Sequence, residues 1–549
     1  MVSFIIFDRS YPKGIMKIFG AQFNHRKIYI FSLILVAISL PLSKVAVSIS
    51  MIVLSCNWLL ELDFKRKRRM FRSNRAILIF FGVYLVHLLW LFNTENFQYA
   101  IHDLLNKAIL LVYPIIIGTS ARISSTQIKI ILVWFSLAVL SSTLISTFIL
   151  LQWIDYPVQN IRDISPFISH IRLSLLINLS IFSLGYILFS RRFKKSRIEQ
   201  VVYTLIGIWL VVFLYLLQSL TGILIFGILV FLILAWLSTK IKDLVLRLFL
   251  QVFLVTIFLL TASVITHAIS RFYTKELVDF ENLKELTING NRYRHYTNRD
   301  QIENGHYVWI YICEKEMQQE WNERSTYLYN GKGENKQSIK QTLIRYLTSK
   351  GLKKDSVGIS KLTAQDIQNI EQGLANHIYE NKYAIYPKLY NIIWQIDVYR
   401  KGYNPAGNSI TLRVEFLKTA LKIIKENFWS GVGTGDVQDA FDQQYKEDQS
   451  KLPQKYWLRA HNQYITFFLS FGLLGFLLVW CVVFYPVYQL KGFRNYFFTI
   501  FFLISMLSFI HEDTLETHIG VTFFSYFYSL FLFGAGKDNL KEEENDKEI

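Results

Sequence analysis

Long apolar runs, separated by short basic gaps, are the feature that most limits how this chain can fold. Stretches such as 128–153 and 247–267 carry hardly a charge. A helix of about 20 apolar residues spans a hydrocarbon core roughly 30 Å thick. A helix lying on a soluble core would show a polar stripe along one side, and these runs show none. With 52% hydrophobic residues in a chain of 549, the pattern predicts an all-α polytopic membrane protein.

The apolar blocks place about twelve transmembrane helices at 28–43, 45–62, 76–93, 99–118, 128–152, 171–190, 201–217, 221–238, 247–266, 463–485, 496–510 and 519–536. The first two are separated only by Ser43 and Lys44 and read as a tight hairpin. Four regions follow. Residues 1–266 form an N-terminal bundle of about nine helices, and 267–462 form one large, mainly helical extracytoplasmic segment. Residues 463–536 add the last helices, and 537–549 form a charged, disordered tail. Within the large segment, 366–380 and 412–426 look helical and 403–408 looks like a turn.

The net charge of +18 raises the question of nucleic acid, and its distribution answers it. Basic clusters fill short gaps between apolar blocks, as at 65–75, Arg122, 191–197, 240–247 and 491–494. The opposite short loops, 94–98, 153–170, 218–220 and 511–518, hold a single basic residue, Arg162. The positive-inside rule then puts both termini in the cytoplasm and 267–462 outside. Nucleic-acid binders gather their charge on one groove-facing element instead. Of the three cysteines, Cys56 and Cys481 fall in apolar blocks and only Cys313 in the polar segment, so no disulfide framework is expected. The first apolar block follows basic residues but has no small-residue cleavage site, which reads as a retained helix.

Residues able to carry chemistry concentrate between 408 and 475. Arg413 heads a helical pattern in which Leu417, Ala420, Leu421 and Ile424 share a face. A Gly431-Val432-Gly433-Thr434-Gly435 run follows. Such a run can offer N–H groups to a phosphate through Gly433 and Gly435, or serve as a plain turn at a helix end; both readings stay open here. It follows no strand, so it is not a dinucleotide fingerprint. His461-Asn462 comes just ahead of an apolar helix interrupted by Gly472 and Gly475. This puts a base that titrates near neutrality at the outer membrane boundary.

These residues resemble the O-antigen ligase / O-antigen polymerase superfamily of lipid-linked glycan transferases. The resemblance rests on His461-Asn462 followed by Gly472 and Gly475, and on Arg413 heading a helix before 428–436. Residues 104–114 (Leu-Leu-Asn-Lys-Ala-Ile-Leu-Leu-Val-Tyr-Pro) and 39–44 fit as well. It implies a GT-C-like fold in the bacterial inner membrane, with the large segment in the periplasm. It further implies an inverting, metal-independent glycosyltransferase without a cofactor. The donor would be an undecaprenyl-pyrophosphate-linked glycan and the acceptor a hydroxyl of lipid A-core or another glycan, with membrane lipids as surroundings. On this resemblance His461 is the base and Arg413 binds the pyrophosphate. An imidazole can take the acceptor's proton, and a guanidinium can clamp the departing phosphate oxygens.

One departure stands out. Relatives carry a Ser-Arg-Gly-like element where this chain has Gln218-Ser219-Leu220-Thr221-Gly222, without an arginine. Arg172, at the outer end of the sixth helix, is the expected second cation; snorkelling to the interface is its plain alternative. Arg459 is a further option. In the acidic loop 511–518, Glu512, Asp513 or Glu516 either orients His461, binds acceptor hydroxyls, or holds helix ends. The spacing there matches no standard metal-ligand set. The same residues would serve a ligase, a polymerase or a protein O-oligosaccharyltransferase. A transporter would show internal repeats and interrupted helices with midplane polar residues, which are lacking.

Overall fold

The computed structural model describes residues 15–18, 21–158, 161–298, 301–381 and 384–535. The expected tail 537–549 and the N-terminal end lie outside these. Every one of the twelve apolar segments contains a helix. Their starts show why they begin where they do. Ser43, Ser124, Ser169, Ser196, Asp243, Asn462, Asn495 and Thr517 each accept a hydrogen bond from a first-turn N–H, supplying donors that would otherwise be orphaned.

The expected twelve spans are met in part. Among the described residues eight helices are long and apolar enough to cross a membrane, or nine if the bent pair Lys44–Leu60 and Phe64–Ser73 is one span. The helices Tyr496–Ser508 and His518–Phe533 are apolar but shorter, and His25–Ser39 has 15 residues. The protein is a multi-pass membrane protein, and helices dominate it. Its strands, among the described residues, are two short hairpins.

The chain divides into two units, Met1–Leu237 with Arg413–Ile549, and Ser238–Leu412. In the first, one continuous apolar core runs through the helices. Helix His518–Tyr528 is buried at nearly every position, with Tyr528 stacked on Phe80 at 4.4 Å between ring centres. One end of this unit gathers basic connections. Arg26 donates to the carbonyls of Ala121 and Arg122, and Lys129 to the Lys194 carbonyl and to Glu199. Trp58, beside the 65–69 cluster, bonds Thr119. The charge asymmetry of the sequence is therefore also a spatial one.

The second unit carries helix Leu244–Tyr273, along which only Leu254 and Ala268 are buried. The polar remainder has its own small core of Met317, Trp321, Leu343, Leu347 and Ile370. Two ion pairs brace it: Arg345 with the buried Glu303 at 2.6 Å and Lys350 with Asp366 at 2.8 Å. The expected helix over 366–380 is instead Ala364–Glu371, followed by a separate turn at His377–Glu380. Gly373, at φ +86°, breaks it, a backbone value that glycine reaches without Cβ strain.

Helix Ser409–Glu426 begins a turn before Arg413, and its buried side cuts across the face shared by Leu417, Ala420, Leu421 and Ile424. Phe416, Thr419, Ala420 and Ile423 face inward, while Leu417 and Leu421 are exposed. Apolarity marks both faces equally, so the pattern alone could not choose.

Candidate active site

At the end opposite the basic connections, three segments of the first unit meet: the start of helix Gln463–Gln489, helix Ser409–Glu426 from Arg413 onward, and the loop before helix His518–Tyr528. His461 sits one residue ahead of the Asn462 cap in a left-handed backbone, φ +48°. A non-glycine residue there is strained and must be held by its surroundings. Asn462 supplies much of that hold. Its Oδ1 accepts from the Ile465 N–H at 3.1 Å, and its Nδ2 donates to the Ile510 carbonyl at 2.9 Å. The Gln463 N–H donates to the Phe509 carbonyl at 2.8 Å, and Asp513 accepts from the Asn462 N–H. The imidazole packs 5.9 Å from the Phe416 ring. Burial, then the positive charges of Arg413 and Arg459, hold it below the ordinary histidine value. The ring is neutral at pH 7 and free to accept a proton.

Arg413 lies 4.0 Å from Glu512 and is 41% exposed, which leaves its fork open to an anion. Burial pushes the Glu512 carboxyl up, and Arg172 and Arg413 pull it back. Arg172 thus belongs to the same electrostatic site. The 218–222 element that lacks the arginine packs against Arg172's own helix. The Ser219 hydroxyl bonds that of Ser174 at 3.1 Å, and Asn178 donates to the Gly222 carbonyl at 3.0 Å. The 218–222 element and Arg172 therefore stand at neighbouring places on two packed helices.

The acidic loop is built in. The Thr466 hydroxyl donates to Asp513 at 2.8 Å. Burial, then Glu516, raises the Asp513 carboxyl to about 6 against the pull of Arg459. Glu516 is enclosed by Lys107 at 3.1 Å, Gln463 at 3.1 Å and Arg459 at 3.8 Å. Burial favours its neutral form, but these cations and donors outweigh that and keep it ionised. Asp103 and Gln463 were missed from the sequence, and Lys107, though part of the 104–114 stretch, was given no role. The available signal was a charged Asp103-x-x-x-Lys107 pair inside an apolar helix, where ionisable residues are costly unless used. Among the described residues no group of three or more His, Cys, Asp or Glu is placed to hold a metal ion.

Gly433 and Gly435 are placed differently from a phosphate cradle. The Val432 and Gly433 N–H groups donate to the carbonyls of Leu469 and Ser470 at 2.8 and 2.9 Å, where helix Gln463–Gln489 breaks at Gly472. A Cβ on Gly433 would meet the Asn93 carbonyl oxygen at 2.3 Å, and one on Gly435 that of Asn96 at 2.4 Å. Asp436 accepts from the Glu95 and Asn96 N–H groups. The run is a plug that fills the helix break, and its plain-turn reading is the one this geometry fits.

The fold and this cluster define a multi-pass membrane protein with a histidine, several cations and a braced acidic loop at one end of its helices. The O-antigen ligase family model matches residues 366–480, a segment that holds Arg413, the glycine plug, His461, Asn462 and Gly472. The resemblance read from the motifs is borne out there, and it supports glycan transfer of the O-antigen, lipopolysaccharide-related kind. The curated proteins contain no match to the chain.

Proposed function

We propose that this protein is an inverting glycosyltransferase acting at the periplasmic face of the bacterial inner membrane. It moves a glycan from an undecaprenyl-pyrophosphate carrier to an acceptor hydroxyl, with lipid A-core as the acceptor. His461 takes the hydroxyl proton as the acceptor oxygen bonds the anomeric carbon. The bond from that carbon to the pyrophosphate breaks on the opposite side, and its electrons leave with the phosphate. Arg413 and Arg172 receive the growing negative charge, supplying in fixed form what a divalent ion would otherwise supply. The acidic loop holds the base and the cations in place.

The observation that carries this reading is the pairing of a neutral, strained His461 with a half-open Arg413 inside the matched segment. A general base must be unprotonated and a leaving-group ligand must be accessible. The test is reconstitution of the purified protein with an undecaprenyl-pyrophosphate glycan and three acceptors: lipid A-core, a second lipid-linked glycan, and a peptide. Product mass then identifies the acceptor. Transfer to lipid A-core, lost in His461→Ala, is the expected result. Transfer only to the lipid-linked glycan makes the protein a polymerase, and transfer only to the peptide makes it a protein glycosyltransferase. Full activity of His461→Ala overturns the mechanism.

A further inference from the structure

We propose that Lys107 is a positioning residue for the candidate base, acting through Glu516 on the two chain segments that flank His461. The inference rests on His461 being the base. Lys107 is 2% exposed and lies in the membrane-spanning stretch Phe97–Thr119. Its ammonium donates to both Asp103 oxygens, at 2.7 and 2.6 Å, and to both Glu516 oxygens, at 3.1 Å each. Glu516 in turn accepts from Gln463 Nε2 at 3.1 Å and faces Arg459 at 3.8 Å. Gln463 is gripped a second time, its Oε1 accepting the Leu515 N–H at 2.8 Å.

Arg459 and Gln463 stand two residues to either side of His461. One carboxylate therefore holds both flanks of a residue whose own backbone is strained at φ +48°, a conformation that persists only where the surroundings over-determine it. Lys107 and Arg459 stand against Asp103 and Glu516, and the buried Asp513 and His87 also face Glu516. Buried charges survive when so opposed and not singly. Take Lys107 away, and Asp103 and Glu516 share only Arg459. Burial then favours protonation of Glu516. A neutral carboxyl holds Arg459 far more weakly, so the turn carrying His461 loosens while the donor's own ligands stay in place.

The test uses full-length protein reconstituted in lipid, as Lys107→Met and as the pair Asp103→Asn with Lys107→Met. The pair leaves no unpartnered Asp103, so it carries the test if the single variant does not insert. The expected result is a kcat lowered about ten-fold or more at pH 6 and recovering toward pH 8.5, with donor KM unchanged within about two-fold. Wild-type kcat at every pH, a loss uniform across pH, or a loss seen in KM alone would each overturn the assignment. A second readout needs no activity. Because Asp513 is itself partly protonated at pH 6, the readout is the infrared spectrum of each variant minus that of wild type at pH 6, which should show an added carboxylic-acid C=O band that combination with Glu516→Gln removes. If wild type transfers no glycan, the proposed function fails, and the band still decides whether Lys107 sets the charge of Glu516. If the band is missing, the Lys107 proposal fails even in an active enzyme.

Discussion

The Arg413 guanidinium lies 4.0 Å from the Glu512 carboxylate, joining helix Ser409–Glu426 to the loop ahead of helix His518–Tyr528. The contact is loose and the arginine is half open, so it adds little to stability. Its value is to keep a cation poised beside an anion that can yield to a better one.

Arg413→Lys should therefore fold normally and transfer poorly, because a point charge does not reproduce a two-pronged grip on phosphate oxygens. The expected loss in kcat/KM is about 10²-fold, the scale set by removing one donor from a transition-state charge site. Steady-state kinetics with the lipid-linked donor measures it, and turnover equal to wild type would remove Arg413 from the leaving-group site.

The pH profile of transfer reports on His461. Burial, Arg413 and Arg459 all disfavour the imidazolium, so the ring stays a competent base at lower pH than free histidine. The acid limb of kcat should lie below about 6.5. Arg459→Met removes one of the repelling charges, so that limb should move upward. An acid limb that moves down instead, or stays fixed, contradicts the electrostatic account.

Much of this site could be read from the residues alone, because its parts are local. The twelve helices announce themselves through uncharged runs opened by Ser, Asn, Asp or Thr caps. Arg413 and His461 stand out by their place in the motifs, one heading a helix before the glycine run and the other just ahead of a long apolar helix. What could not be read was which neighbours surround an apolar face. Helix His518–Tyr528 is enclosed on all sides while Leu244–Tyr273 is almost wholly exposed, though both are simply apolar in sequence. Leu417 and Leu421 share a face with Ala420 in sequence, yet they are exposed where Ala420 is buried. Lys107 meets Glu516 across 409 positions of chain, a relation that no local pattern encodes. The glycine run was ambiguous until Gly472 opened a gap for it in another helix.

Gly472 makes that dependence measurable. Its backbone, φ +60° and ψ −169°, is in a region open essentially to glycine alone. A Cβ there would meet the Trp429 carbonyl carbon and oxygen at 2.4 Å and the Ser430 nitrogen at 2.5 Å. Gly472→Ala should cost about 1–3 kcal/mol from strain, with displacement of the plug in addition. It should lower both Tm and activity. Gly227→Ala is the control: its Cβ would meet nothing within 4 Å and it sits inside helix Leu220–Ser238, so alanine should leave Tm unchanged or raise it. Equal Tm values for the two variants would show that the helix break is not required.

Asp513 gives a prediction of opposite sign to the usual buried carboxylate. Its folded value is raised from 3.8 to about 6, first by burial and then by Glu516. The ionised form is therefore disfavoured in the fold relative to the unfolded chain. The penalty is absent below the unfolded value, grows as pH rises, and is complete above the folded one, reaching about 3 kcal/mol at most. Asp513→Asn keeps an oxygen to accept from Thr466 and the Asn462 N–H but carries no charge, so it escapes the penalty. The Tm of the variant minus that of wild type should thus increase between pH 4.5 and pH 7.5, as followed by thermal unfolding in one detergent at fixed ionic strength. A difference that shrinks over that interval would mean Asp513 is stabilised as an anion. In that case Arg459 would outweigh burial, and the acidic loop would hold His461 through an ion pair instead of through hydrogen bonds.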